Sequence, residues 1–259
     1  MLMQRKAWVY TMLATLSGAI SLLARWLQLE SAFDAETGMM APHALFSYLT
    51  VFMLILTLVA LWVFSGRIDV SASPVEPEEA LAKPGKEIAF LLYVVGAFAL
   101  IGALLLFFQA DSTLLVVAAL LGVLAAPCLA LLLHLPKWGG FGAFLSVVPV
   151  VFLCVWLVSF YKDNSADPVV WKYCTQVLAI AGCLLATFRV AGYLFYRSAP
   201  RKAIFACGAA LALCLTVIMD DAAIGARILY VSWGVGMGAI GWLLIRNLPE
   251  PDNTDTEEF

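Results

Sequence analysis

The sequence predicts an all-α polytopic transmembrane bundle of eight spans with both termini in the cytoplasm, and three observations predict it. Hydrophobic residues make up 63% of the chain and charged residues 13%, where soluble domains have about half and about a quarter. One aqueous core cannot bury that much apolar surface. Eight apolar runs each approach the roughly 20 residues that a helix needs to cross hydrocarbon. The cations are shared unequally between the connections, and Lys and Arg are retained on the cytoplasmic side while acids carry little topological weight.

The runs cover 7–28, 43–64, 87–108, 114–134, 140–160, 169–196, 203–219 and 222–245. A first helical turn has no use for the N–H that proline lacks, so Pro42, Pro168 and Pro200 are expected to open spans. Asp167 is the expected N-cap of the sixth span, accepting from first-turn amides. Pro127 and Pro149 fall inside spans four and five, where each removes a backbone hydrogen bond and bends its helix. With eight spans, Arg5, Lys6, Arg67, Lys83, Lys86, Lys137, Arg197, Arg201, Lys202 and Arg246 share one face. Arg25, Lys162, Lys172 and Arg227 lie on the other face or its rim, which leaves Arg189 inside a span.

Short connections make 1–259 a single integral membrane domain. Residues 65–86 read as a flexible cytoplasmic loop and 249–259 as an acidic cytoplasmic tail, because proline and charge with little apolar content cannot build a core. The first span is longer than a signal-peptide core and is expected to be retained. Long acidic connections after spans one and five suggest a four-plus-four repeat, against which stand unequal inward loops and poor identity between the halves.

Several chemistries have no motif. The six cysteines lie in spans without a Cys-x-x-Cys pair and read as small buried hydrophobes. Two histidines, His43 and His134, supply no zinc pattern, and no serine stands in a Gly-x-Ser-x-Gly turn. No metal or cofactor is expected, and a net charge of −3 without a basic stripe does not suggest nucleic acid. Residues 234–241, Gly-Val-Gly-Met-Gly-Ala-Ile-Gly, mimic a dinucleotide fingerprint, but no strand precedes them. Gly234 and Gly238 instead allow close helix approach, within the bundle or between the protomers of a homo- or hetero-oligomer.

Polar residues within spans are the candidates for function. Thr11, Ala14, Gly18, Ser21, Arg25 and Gln28 recur at three- and four-residue spacing and line one face of span one. That face either packs helices through small residues and hydroxyls or lines a hydrated cavity. Arg25 either snorkels to the headgroups or acts as a buried counter-ion, with Glu30, Asp34 and Glu36 as nearby acids. Facing a cavity, its fork would suit a carboxylate or phosphate. Span six repeats the pattern with Thr175, Ala179, Gly182, Ala186, Arg189 and Tyr193. Arg189 lies about 10 Å from the span's cytoplasmic end by the 1.5 Å rise. It reaches water, pairs with an acid such as Glu87 or with carbonyls, or meets a ligand.

The outward acids are Asp34, Glu36, Asp111, Asp163, Asp167, Asp220 and Asp221, set against Arg227 and Lys172. Asp220 and Asp221 would bind a cation or share a proton if desolvated together, and would otherwise be solvated caps. Residues 163–167 lack the glycine and distal glutamate of a calcium loop. Residues 27–38, Leu-Gln-Leu-Glu-Ser-Ala-Phe-Asp-Ala-Glu-Thr-Gly, resemble a signature of uncharacterised multispan membrane proteins of clostridial-type bacteria, where Phe-Asp-x-Glu-Thr-Gly follows the first span. The resemblance implies a bacterial cytoplasmic membrane and no known activity.

Three functions stand open. The first is binding or transport of a small polar or anionic solute, or an ion, through an interior lined by spans one and six, with Arg25 and Arg189 as electrostatic elements. The second is a non-transporting subunit, sensor or scaffold whose polar stripes only pack helices. The third is a membrane enzyme, with Asp220, Asp221 and Glu36 as its only acids. Transport predicts that the two polar faces meet around a mid-membrane cavity, and packing predicts a dry seam.

Overall fold

Small residues decide which helices sit inside. A computed structural model describes residues 2–33, 45–70, 77–81, 85–167 and 169–249. Among them are eight helices long and apolar enough to cross a membrane, and no strand. They are α1 (Leu2–Ser31), α2 (Leu45–Gly66), α4 (Lys86–Phe108), α5 (Thr113–Ala130), α6 (Gly139–Asn164), α7 (Cys174–Leu194), α8 (Pro200–Thr216) and α9 (Ile224–Arg246), with a single-turn helix α3 (Pro77–Ala80) between the second and third. All eight expected spans are therefore helices.

α8 and α9 form the centre, with 72% and 78% of their most apolar windows buried, against 28–50% for the other six. Their sequences are rich in Ala, Gly and Cys, so their backbones approach neighbours closely without a hydrophobic driving force from water. α4 packs along α9, α5, α6 and α7 continue in a row from α4 until α7 closes against α8, and α1 and α2 clasp α8 from its other side. Trp8, Leu16, Phe52, Trp62, Phe90, Phe98, Phe144 and Phe188 point outward and are exposed, a surface suited to hydrocarbon rather than water. Central α8 and α9 have no equivalent in peripheral α4 and α5, so the arrangement lacks the symmetry of a four-plus-four repeat.

The helix crossings use glycines where backbones touch. A Cβ on Gly225 would lie 2.5 Å from the Leu106 amide nitrogen and 2.8 Å from the Gly102 carbonyl, so α4 and α9 cross there at backbone contact. Gly234 and Gly238 meet Cys214 and Leu211 of α8, at 2.6 and 2.7 Å from the Cβ each glycine lacks. That is the intramolecular of their two expected uses.

Several expectations need correction. Pro77–Leu81, inside the loop expected to be flexible, is folded: Ala80 and Leu81 are buried and Asn247 Nδ2 donates to the Ala80 carbonyl at 2.9 Å. Its apolar pair Ala80–Leu81 finds a place against the bundle end, which loop composition did not suggest. Asp167 does not cap the sixth long helix. It accepts from the Val169 amide at 2.8 Å, a 3₁₀ turn (Val170–Lys172) intervenes, and α7 begins only at Cys174. Pro200 opens α8, and Pro127 and Pro149 lie within α5 and α6 as expected. Pro42, Pro168, His43 and the tail from Glu250 lie outside the described residues, as do 71–76 and 82–84 of the loop.

The cysteines divide. Cys128, Cys183, Cys207 and Cys214 are buried, Cys174 is half-buried, and Cys154 is exposed on α6 rather than buried. The Cys183 and Cys214 sulfurs lie 3.2 Å apart.

Gly225→Ala is expected to lose about 1–3 kcal/mol by overpacking the α4–α9 crossing. Gly66→Ala, where a Cβ meets nothing within 4 Å, should be neutral, and thermal unfolding in detergent distinguishes the two.

Candidate functional site

Arg25 is completely buried, and the bundle closes around it at the end opposite the basic connections. The stripe on α1 is the buried face it was expected to be: Ala14, Gly18, Ser21, Arg25 and Gln28 are buried and Thr11 half-buried. Arg25 Nε donates to Asp220 Oδ1 at 2.7 Å, Nη1 to Gln28 Oε1 at 2.8 Å and to the Trp171 carbonyl at 2.9 Å, and Nη2 to the Lys172 carbonyl at 2.8 Å. Four of the five guanidinium N–H groups are thus spent on protein acceptors. The partner is Asp220 of the α8–α9 connection and not Glu30. Asp34 and Glu36 lie outside the described residues.

Asp220 is equally buried and receives a second charge-assisted bond, from Thr175 Oγ1 at 2.6 Å. Its backbone carbonyl accepts from Arg227 Nη2 at 3.0 Å. Burial pushes the Asp220 carboxyl above its ordinary value, while the Arg25 guanidinium and Thr175 hydroxyl pull it down. The expected Asp220–Asp221 pair does not form, because Asp220 has extended backbone (φ −64°, ψ 152°) and successive side chains of an extended chain point apart. Asp221 is exposed at the bundle end.

Polar links continue outward from the clamp. Gln28 Nε2 donates to Ser47 Oγ at 3.0 Å and Ser21 pairs with Thr57 at 3.3 Å, tying α1 to α2. Ser47, Thr50, Thr57 and Ser65 line the buried face of α2, at a spacing of three, seven and eight that the sequence displayed. These residues were missed because α2 carries no charge to draw attention to them.

Beside the clamp lies a mouth of about 490 Å³, formed by the ends of α4, α5, α6, α7 and α9. Asp111, Asp163 and Asp221 line it together with Gln109, Asn164 and Gln176, over Trp156 and Phe160. Asp163 Oδ2 is held by Ser112 Oγ at 3.1 Å and Ser159 Oγ at 3.3 Å, and Gln109 Oε1 by the Gly225 amide at 3.2 Å. None of the three carboxylates forms an ion pair among the described residues. Nor does any group of three His, Cys, Asp or Glu side chains there converge closely enough to hold a metal ion. Beneath the mouth, Phe152, Trp156, Tyr230 and Trp233 stack with ring centroids 5.1–5.6 Å apart and seal the interior.

The two polar faces of α1 and α7 meet only at their outer ends, where Arg25 and Thr175 share Asp220, and α8 packs against both helices. Where Arg25 borders open space, the groove is only about 160 Å³, and its other walls are mostly apolar, Leu54, Ile55, Leu58 and Leu178 among them. Comparison with family models, with curated proteins and with solved structures gives no match. The site therefore has to be read from its own chemistry.

Arg189 is separate from all of this. It is half-buried, borders a groove between α6 and α7, and among the described residues makes no hydrogen bond or ion pair. Glu87, its expected acid, lies instead in the groove between α1 and α4 with Trp8, Trp242 and Arg246.

Arg25→Ala is expected to cost about 3–5 kcal/mol, because it strands the buried Asp220 carboxylate. Arg25→Lys should cost less, since it keeps the charge and loses only the fork. Tyr230→Phe should be neutral or stabilising, because the Tyr230 hydroxyl is buried with no partner among the described residues. Thermal melting of the three variants checks the order.

Proposed function

We propose that this chain is a multi-pass protein of a bacterial cytoplasmic membrane, with both termini in the cytoplasm, that recognises a small organic cation at its outward mouth without conducting it. The observation that carries the reading is the mouth itself. Three carboxylates without cationic partners among the described residues surround an aromatic floor. Carboxylates focus a field that raises the local concentration of cations, and the half-buried Phe160 offers its ring to an ammonium group. Because the acids do not converge as metal ligands, a diffuse organic cation fits better than a bare ion. The orientation rests on the assignment of ten of the fifteen cations to one face of the eight-span sequence.

Transport through the interior has less support than binding at the surface. Arg25 spends four of its five N–H groups on its own protein, α8 packs between α1 and α7, and the aromatic stack fills the space between α6 and α9. A second reading, a scaffold whose polar stripes only tie helices, is favoured by the Gln28–Ser47 and Ser21–Thr57 links. An enzyme reading finds no geometry to add to its absent motif, since Asp220 is engaged by Arg25 and Thr175.

The test is thermal unfolding of detergent-purified protein with tetramethylammonium, ethylammonium, sodium and chloride-matched controls, followed by flux in proteoliposomes. The organic cations should raise the melting temperature, Asp163→Asn with Asp221→Asn should remove the shift, and vesicles should show no flux. No shift with any cation favours the scaffold, and measurable flux restores transport.

A further inference from the structure

We infer that the groove between α6 and α7 is a binding site for an anionic phospholipid of the leaflet at the basic end, its phosphate held between Arg189 and Arg197. The groove has a volume of about 630 Å³, with Val147 and Val150 on one wall and Phe188, Ala191 and Phe195 on the other. Phe188 and Phe195 are 56% and 49% exposed, so the groove opens toward the space that acyl chains occupy in a membrane. Two arginines lining one otherwise apolar trough match the shape and charge of a phospholipid: phosphate at the cations, chain along the walls.

The placement of the two arginines carries the inference. Arg189 lies five residues before the last residue of α7, about 7–8 Å from its end by the 1.5 Å rise. Every Cα–Cβ bond tilts toward the start of its helix, and α7 runs toward the basic end. The Arg189 side chain therefore starts out pointing away from the nearest headgroups, which works against snorkelling. A guanidinium left so in hydrocarbon needs an anion, and none is supplied by the described residues; its only partner there is the Phe188 ring, 5.8 Å away.

Arg197 is brought back to the same groove by the turn that ends α7. The Arg197 amide donates to the Gly192 carbonyl at 2.9 Å and the Tyr196 amide to the Tyr193 carbonyl at 3.0 Å, the paired bonds of a Schellman turn. That turn requires a left-handed residue, and Tyr196 takes the position with φ 56° where glycine is usual. The strained reversal folds the chain over Gly192, whose missing Cβ would lie 3.1 Å from the Arg197 carbonyl. Arg197 and Arg189 thus line one cavity from two turns of chain, and Arg fits a phosphate with paired N–H donors.

Native mass spectrometry of the full-length protein in detergent, supplied with phosphatidylglycerol, phosphatidylcholine or glycerol 3-phosphate, tests the site. The unaltered protein should retain phosphatidylglycerol, and Arg189→Gln and Arg197→Gln should each weaken retention about tenfold, with Arg5→Gln unchanged as a surface-charge control. Arg189→Lys should fall between, because it keeps charge without the fork. Arg197 is exposed on a turn, so its variant decides the matter if Arg189→Gln does not fold. Retention unaltered in both glutamine variants, or equal retention of phosphatidylcholine, overturns the inference. Displacement of phosphatidylglycerol by glycerol 3-phosphate overturns it in favour of a soluble phosphate ligand.

Discussion

The bundle depends on one buried ion pair, Arg25 with Asp220, and on what each must give up to exist there. Neither residue exposes any surface, and a charge taken out of water is tolerated when its counter-charge and most of its remaining hydrogen-bonding partners are supplied by protein. Arg25 meets that condition by drawing in the carbonyls of Trp171 and Lys172, and Asp220 meets it through Thr175. The pair thereby fixes α1, the α8–α9 connection, the start of α7 and the 3₁₀ turn before it in one arrangement. It also explains why α7 starts late: carbonyls that a continuous helix would bond within itself are directed at a guanidinium instead.

The closure has a consequence for where a solute can go. With Arg25 engaged and the Phe152–Trp156–Tyr230–Trp233 stack filling the space between α6 and α9, most polar groups inside the bundle are spent on helix pairing, the Tyr230 hydroxyl excepted. Free polar groups remain at the ends. One end carries unpaired carboxylates over aromatic rings, and the other carries cations, with Arg189 and Arg197 at an apolar groove. Unpaired carboxylates at one end and an excess of cations at the other suit recognition at two surfaces better than passage from one to the other.

Much of the fold was legible in the sequence, residue by residue. The α1 stripe from Ala14 to Gln28 was readable because burial at a three- and four-residue spacing selects small and polar side chains in a membrane helix as it selects apolar ones in water. Pro200 marked the start of α8. Asp167 misled because a strong local cap signal was outweighed by the demand of Arg25 for nearby carbonyls. Ala80 and Leu81 were hidden in a charged segment, where two apolar residues carry no periodicity. In the site, Arg25 and Asp220 could each be singled out as costly, but their pairing spans 195 positions and no spacing rule reaches that far.

Sequence by itself determined the number of helices long and apolar enough to cross a membrane and the positions set apart from their apolar faces, because both follow from local hydropathy and helical periodicity. The tertiary structure alone decided which helices are central, which acid neutralises Arg25, that Asp220 and Asp221 part company, and that Gly234 and Gly238 are spent against α8. Those outcomes depend on contacts between distant segments, where close packing and the pairing of buried charge choose among arrangements that local sequence leaves equal.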